Sequence, residues 1–285
     1  MKTDLTTRIT SKKEDFSKGQ RRIADYILEN YDTAAYMTAF ALGQTVGVSE
    51  STVVRFAMML GFEGYPQLQR AVQELVRSKL TSVQRVEVTR ARMKDDEVLQ
   101  SVLSYDIANI SKTLEELSPE TFDKAVDSLV SSRRVYVFGA GSCRALANFF
   151  AHYLRLLLPD VRYISTSSEA EMLEEMFPIS EHDTLVALSY PRYSSKAVKA
   201  VHFAHSRGAT VVSLTDSELS PIAELANCLL LAHSDMATIV DSLVAPMSVI
   251  NALLVAISLR RIEENRNVLT EMEALWETYH EYQPK

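Results

Sequence analysis

Arg134-Val135-Tyr136-Val137-Phe138-Gly139-Ala140-Gly141-Ser142-Cys143-Arg144 reads as a short buried strand, a glycine turn and a helix that opens at Ser142. Val135 to Phe138 form an apolar, branched run of the length a buried strand prefers. Gly139 and Gly141 let the backbone turn tightly and approach a ligand with no Cβ in the way. The helix behind them aims its unpaired N–H groups and positive dipole end at the turn, which suits an anion. Ser142 can cap that helix and offer a hydroxyl to a phosphate. The plain alternative is a turn with a structural purpose alone. A second hydroxyl-rich turn, Ser189 to Ser195, weighs against it.

A dinucleotide cradle would place a third glycine at position 144 and an acid about 20 residues on. Position 144 is Arg, while Glu169 could serve as the acid, so spacing alone does not exclude that cradle. A Walker loop is absent, because no Gly-Lys-Ser/Thr follows.

Downstream, strand and helix patterns alternate. The spacing predicts a helix over Ser142–Leu158, a strand over Arg162–Ile164 and a helix over Glu169–Phe177. A strand at Thr184–Leu188, a helix at Ser194–Arg207 and a strand at Thr210–Leu214 follow. A short helix at Pro221–Ala226, a strand at Cys228–Leu231 and a long helix at Ile239–Arg261 complete the alternation. Two further helices, Val98–Leu117 and Pro119–Ser131, lead into the first strand. Five strands with intervening helices predict an α/β doubly wound parallel sheet, flavodoxin-like in kind. Ligands of such sheets sit outside the carboxyl ends of the strands, near the topological switch. Both hydroxyl-bearing turns would meet there, with a third contribution from Thr215-Asp216. In the tail, Leu269, Met272, Trp276 and Tyr279 recur at helical spacing, for packing on their own domain or on another subunit.

Upstream the chain is helical. Ser17 and Gln20 have capping-box spacing with Phe16 placed for a hydrophobic staple, and Ile23, Tyr26 and Ile27 share one face. A second helix is expected over Asp32–Met37. Then Thr38 to Phe56 carries a short helix, a turn at Gly47, Ser49 as N-cap, and another helix. Val53, Phe56 and Leu60 fall on one face of it, with Ser51, Thr52 and Arg55 together on another. That division suits a helix-turn-helix: an apolar face joins the pair, and short hydroxyls with an Arg meet the major groove and its phosphates. Ser49, Ser51, Thr52 and Arg55 are the candidate DNA contacts. The competing reading is an αα-hairpin in a helical bundle. Gly43, four residues before Gly47, stands where such motifs usually carry Ala. A further helix is expected over Gln67–Lys79, and Leu80 to Lys94 reads as a polar linker.

The 285 residues, 47% hydrophobic and 24% charged, suit one large or two modest domains of an ordinary globular protein. The first residues show no export signal. Ser242–Ser258, interrupted by Pro246 and Asn251, is shorter than the roughly 20 apolar residues a membrane span needs. Two cysteines make no disulfide framework, so a cytoplasmic home is expected. Cys143, at a helix N-terminus that could lower its pKa, is read as a small residue packed beside the turn. No Cys/His cluster has metal-ligand spacing. The net charge of −7 hides an asymmetry. Residues 1–80 hold 11 Lys+Arg against 9 Asp+Glu, and the remainder 19 against 28. Only the first part would not repel DNA outright.

The order of these parts resembles the RpiR family of bacterial transcription regulators. Ser17-Lys-Gly-Gln-Arg-Arg-Ile-Ala24, Val46-Gly-Val-Ser-Glu-Ser-Thr-Val-Val-Arg-Phe56, Gly61-Phe62 and Tyr65 carry the first half of that resemblance. Gly139-Ala-Gly-Ser142, the turn after Ser189 and Ser220-Pro-Ile-Ala223 resemble the sugar isomerase (SIS) domain. The resemblance implies a helix-turn-helix domain over 1–80, a linker over 81–96 and an SIS ligand-sensing and oligomerisation domain over 97–285. It further implies operator DNA as partner, a sugar phosphate or related metabolite as effector, and a homodimer or homotetramer. No catalytic residue, metal or cofactor is assigned. Gly139, Gly141, Ser142, Ser189, Arg192 and Ser194 are the candidate ligand-binding residues. The second turn departs from the usual Ser-x-Ser-Gly-x-Thr loop: it reads Ser189-Tyr-Pro191-Arg192-Tyr-Ser194. Two other functions compete. One is an aldose–ketose phosphate isomerase with a base among Glu169, Glu171, His152, His202 and His233; the other is a regulator whose SIS domain only oligomerises.

Overall fold

The computed structural model describes residues 5–79, 81, 83–86, 96–235 and 240–279. The chain divides into two compact units, residues 1–94 in one and 95–236 with 240–285 in the other. Most of the expected linker lies outside the described residues.

The first unit is helical: α1 (Leu5–Ser11), α2 (Lys18–Glu29), α3 (Tyr31–Ala34), α4 (Ala39–Val46), α5 (Glu50–Met59) and α6 (Tyr65–Lys79). A complete capping box opens α2, with the Ser17 N–H donating to Gln20 Oε1 at 2.9 Å and the Gln20 N–H to Ser17 Oγ at 3.4 Å. The expected staple is not made, because Arg21 occupies the staple position of α2. Phe16 is buried edge-on against Phe56 instead, with ring centroids 5.2 Å apart. Helix α3 stops at Ala34 rather than running to Met37. The carbonyls beyond it are claimed by α6: Tyr65 Oη and Gln69 Nε2 donate to Met37 O at 2.7 and 2.8 Å, and Gln73 Nε2 to Ala35 O at 3.1 Å. Burial pushes the Tyr65 phenol up to about 12. Side chains thus satisfy groups that a longer helix would have paired internally.

In the second unit α7 (Val98–Glu116) and α8 (Pro119–Ser131) precede β1 (Arg134–Gly139), α9 (Cys143–Leu157), β2 (Val161–Ile164) and α10 (Glu169–Met176). Then come β3 (Asp183–Leu188), α11 (Ser195–Ser206), β4 (Thr210–Thr215), β5 (Cys228–Leu231), α12 (Val244–Arg260) and α13 (Ile262–Thr278). The five strands are all parallel, in the order β2-β1-β3-β4-β5. Helices cover both faces, as near-continuous apolar strands require. One core joins Val137, Leu188 and Leu230 to Leu129, Phe150 and Ile250 of α8, α9 and α12. The other joins Tyr136, Phe138 and Leu185 to Met172 and Val201 of α10 and α11. No single helix among the described residues is long and apolar enough to cross a membrane.

Two expected helices differ. Pro221–Ala226 forms successive turns with i→i−3 bonds, not a helix. Its backbone is tied to the sheet: Ser213 Oγ donates to Ile222 O at 2.7 Å, and Asn227 pairs with both backbone groups of Val211. The last long helix starts at Val244, and Ser242 before it donates its hydroxyl to Asp106 of α7.

At the opposite end of the sheet from the glycine turn, Asp183 is fully buried and paired with Arg133 through Nε and Nη2 at 2.9 and 2.7 Å. Burial alone would raise its pKa; the Arg133 guanidinium and the Ser180 N–H at 2.8 Å hold it below the ordinary carboxylate range. A depressed carboxylate contributes stability above its unfolded pKa of about 3.9 and loses it as pH falls through the folded value. Asp183→Ala is expected to cost about 1–3 kcal/mol in urea denaturation at neutral pH, by leaving the Ser180 N–H unsatisfied. The gap to the parent should narrow below about pH 4.

Candidate effector crevice and DNA-contact helix

Strand β1 is flanked by β2 on one side and β3 on the other, so the chain reverses its winding between β1 and β3. A crevice opens at such a switch point. Gly139 and Leu188, the last residues of the two strands, are register partners. The turns 139–142 and 189–194 therefore leave the sheet side by side, where the sequence places the ligand.

The two glycines serve different purposes. A Cβ on Gly139 would stand 2.5 Å from the Cys143 carbonyl oxygen, so only glycine lets α9 begin this close to β1. Gly141 has open space around it but a φ of +61°, a conformation open to glycine and strained for other residues. Ser142 does not cap the helix as expected. Its backbone is already helical, at φ −62° and ψ −32°, and its side chain makes no capping bond. The Cys143 thiol is not acidified by the helix end: burial pushes its pKa up to about 11. Cys143, from the first turn, and Tyr190, from the second, are buried in the same core.

In the second turn the Ser194 N–H donates to Ser189 Oγ at 3.3 Å, and Thr215 Oγ1 to Ser189 O at 2.7 Å. Ser194 caps α11 by accepting from the Lys196 N–H at 3.2 Å. Arg192 has φ +68° and is the one non-glycine residue with positive φ among those described. It stands where the usual SIS loop carries glycine, and it keeps the left-handed turn at a cost of about 1–2 kcal/mol. Pro191 offers no N–H. Thr215 and Asp216 both bond the second turn, Thr215 through Ser189 and Asp216 by accepting from Tyr193 Oη at 2.9 Å. Sequence reasoning missed Tyr193 and also Lys196, whose ammonium reaches the Ser167 carbonyl of the neighbouring loop. Tyr190 is wholly buried, and its hydroxyl has no hydrogen-bond partner among the described residues.

Behind the crevice, α7 holds the loop after β5. Asn109 clamps Asp235 at 3.1 and 3.0 Å, Thr113 accepts the His233 N–H at 2.8 Å, and Glu116 meets His233 Nε2 at 2.7 Å.

In the first unit α4, Gly47 and α5 form the helix-turn-helix. Gly47 takes φ +70°, and Ser49 caps α5 by accepting from the Thr52 N–H at 3.3 Å. Val53, Phe56 and Leu60 are buried. Ser49 Oγ lies 2.9 Å from both Ser51 Oγ and Thr52 Oγ1, and Arg55 Nε donates to Ser51 O at 3.3 Å. Ser49, Ser51, Thr52 and Arg55 thus share one end and one face of the helix. At Gly43 even a methyl would meet the Val48 carbonyl at 2.9 Å. The turn is packed tightly enough to require the glycine where Ala was the expected residue.

The helix-turn-helix domain of the rpiR family matches residues 3–79, and the SIS domain matches residues 128–256. The chain belongs to the RpiR family of transcriptional regulators. This RpiR-family chain is similar to the HTH-type transcriptional regulator HexR of Pseudomonas aeruginosa, 29% identical over 269 residues that cover 90% of each chain. The sugar isomerase domain of an RpiR transcription factor from Sphaerobacter thermophilus superposes with a TM-score of 0.59 at 29% identity. That match covers 62% of this chain and 99% of that one. The Vibrio vulnificus NanR protein, solved in complex with ManNAc-6P, has a TM-score of 0.61 at 19% identity over 96% and 98% of the two chains. It shares the fold.

Gly139→Ala is expected to lower stability by about 1–3 kcal/mol, since its methyl overpacks the β1–α9 junction. Arg192→Gly should raise it by about 0.5–1 kcal/mol, the relief of left-handed strain outweighing the entropy a glycine brings to the unfolded chain. Urea midpoints of the two variants against the parent check both signs.

Proposed function

We propose that this regulator binds operator DNA through α5 and that an anionic sugar derivative, a sugar phosphate in the first instance, sits in the β1/β3 crevice and alters that binding. The observation that carries the reading is the meeting of the two hydroxyl-bearing turns at the switch point, where Gly139 and Leu188 are register partners, with Arg192 holding the loop in the conformation a glycine would take. Gly141 and Ser142 on one side, and Ser189, Arg192 and Ser194 on the other, are the ligand contacts. The guanidinium is suited to a phosphate or carboxylate. NanR, solved with a sugar phosphate, supports the effector class.

We read the chain as a sensor, not an isomerase. The candidate bases are engaged elsewhere: Glu169 pairs with Lys199 at 2.7 Å, Glu171 accepts from Thr166, and His233 is held by Glu116. His152 is exposed on α9, edge-on to Tyr153, and His202 is exposed on α11.

The regulator acts as a homodimer or a higher homo-oligomer in this reading, and α7 supports it. Its apolar residues face solvent, Leu99 75% and Leu114 80% exposed, with Leu103, Ile107 and Ile110 on the same stripe, while Asn109 and Thr113 are its buried positions. Paired subunits would read half-sites about one turn, roughly 34 Å, or a multiple of it apart.

Arg55→Ala is expected to abolish specific operator binding in fluorescence anisotropy and to leave effector binding intact. Ser142→Ala should do the reverse, keeping basal DNA binding and weakening the response to sugar phosphates. Typical effector coupling of about 1–3 kcal/mol sets the size of the shift to look for. An unchanged effector titration for Ser142→Ala would place the pocket elsewhere. Leu103→Glu together with Ile107→Glu is expected to halve the particle mass in light scattering at equal protein concentration, with the sheet domain still folded by circular dichroism.

A further inference from the structure

The charge on α5 is too small to hold DNA by itself. Arg55 is its one cation and Glu50 its one acid, so the helix brings no net charge to the phosphates. Of the other cations in the unit, Lys13 is neutralised by Asp25 and Arg8 lies over the Phe62 ring.

Helix α2 supplies what α5 lacks. Gly19 brings the first turn of α2 against the start of α5: a Cβ there would lie 3.2 Å from Val48 Cγ1 and 3.6 Å from Thr52 Cγ2. Lys18 and Arg22, four residues apart and hence on one face of α2, are both exposed. Arg22 Nη2 donates to the Gly47 carbonyl at 3.1 Å, which fixes the guanidinium beside the turn just ahead of Ser49. Among the described residues neither Lys18 nor Arg22 is paired with a carboxylate. Two uncompensated cations therefore stand at the flank of the helix whose N-terminal hydroxyls face DNA.

We propose that Lys18 and Arg22 are backbone contacts of the regulator, gripping DNA phosphates beside the groove that α5 occupies and fixing its register there. The inference rests on α5 as the DNA-contact helix. Phosphate contacts carry no sequence information, so the two residues set affinity and its salt dependence while Ser51, Thr52 and Arg55 set specificity.

The test is fluorescence anisotropy of the full chain on a duplex from upstream of its own gene and on a scrambled duplex, at several salt concentrations. The variants are Lys18→Gln, Arg22→Gln, Arg22→Lys and, as a control, Arg55→Ala. Removing one phosphate-binding cation lowers the slope of log affinity against log salt by about 0.9, or roughly tenfold in affinity near 0.1 M salt. Lys18→Gln and Arg22→Gln are expected to weaken binding to both duplexes by that same factor and to flatten the slope, with Arg22→Lys keeping the parent slope. Unchanged affinity and slope would overturn the proposal. Weaker binding with an unchanged slope and a lowered melting temperature would also overturn it, by showing that Arg22 only buttresses the turn. If Arg55→Ala keeps full specificity while the two Gln variants flatten the slope, the assignment of α5 fails and the phosphate contacts stand.

Discussion

The approach of the Cys143 carbonyl to Gly139, closer than any side chain would allow, is the constraint on which the second unit depends. It lets α9 start directly over the end of β1, which sets the Ser142 hydroxyl and the first N–H groups of the helix at the rim of the sheet. Cys143 is then buried in the same core as Tyr190 of the neighbouring turn, about fifty residues away in the chain. The parallel pairing of Gly139 with Leu188 then holds the two turns in register, because a one-residue slip would swap Tyr136 and Phe138 with Val135 and Val137 between two differently packed cores.

The second turn, beside it, carries two residues that constrain its backbone. Pro191 removes an N–H that a ligand oxygen could have used, and Arg192 holds a left-handed conformation that costs it strain. Strain of this kind persists where the surroundings over-determine the backbone. Here the Ser194 N–H bonds Ser189 Oγ and Thr215 ties Ser189 O to β4, so two hydrogen bonds close the turn. An arginine at the left-handed position also brings a guanidinium, whose donors match carboxylate and phosphate geometry alike.

The sheet and most of its helices were legible in the sequence because a parallel strand buried on both faces leaves an unbroken apolar run, and Pro119–Ser131 and Cys228–Leu231 have the bounds their patterns predict. The placement of the two hydroxyl-bearing turns side by side at the carboxyl ends of β1 and β3 followed from the strand order. What sequence could not show was decided by tertiary bonding. The carbonyls after Ala34 go to Tyr65, Gln69 and Gln73 from a distant helix, so α3 ends early. Asn227 claims both backbone groups of Val211, so Pro221–Ala226 stays a chain of turns. Ser142 had every local mark of an N-cap and is inside the helix already, because the close approach at Gly139 starts the turn one residue sooner. Lys196 and Tyr193 escaped notice since neither residue type marks a ligand turn; only the fold shows that they close it.

Helix α7 is turned inside out with respect to the usual amphipathic rule, its buried residues being the polar Asn109 and Thr113 and its apolar stripe exposed. The polar stripe has a purpose within the protomer. Asp106, Asn109, Thr113 and Glu116 recur at helical spacing and together bond Ser242, Asp235 and His233, the two ends of the loop that follows β5. That loop leaves the same carboxyl edge of the sheet from which the effector turns project. A helix held there by hydrogen bonds rather than by apolar burial is easier to shift, since each bond contributes only about 0.5–1.5 kcal/mol net and can be exchanged for water. The apolar stripe, in contrast, would anchor firmly to whatever covers it. The two sides of α7 thus differ in kind: hydrogen bonds that water can replace tie one side to the loop after β5, and the apolar stripe on the other has the more to gain from burial.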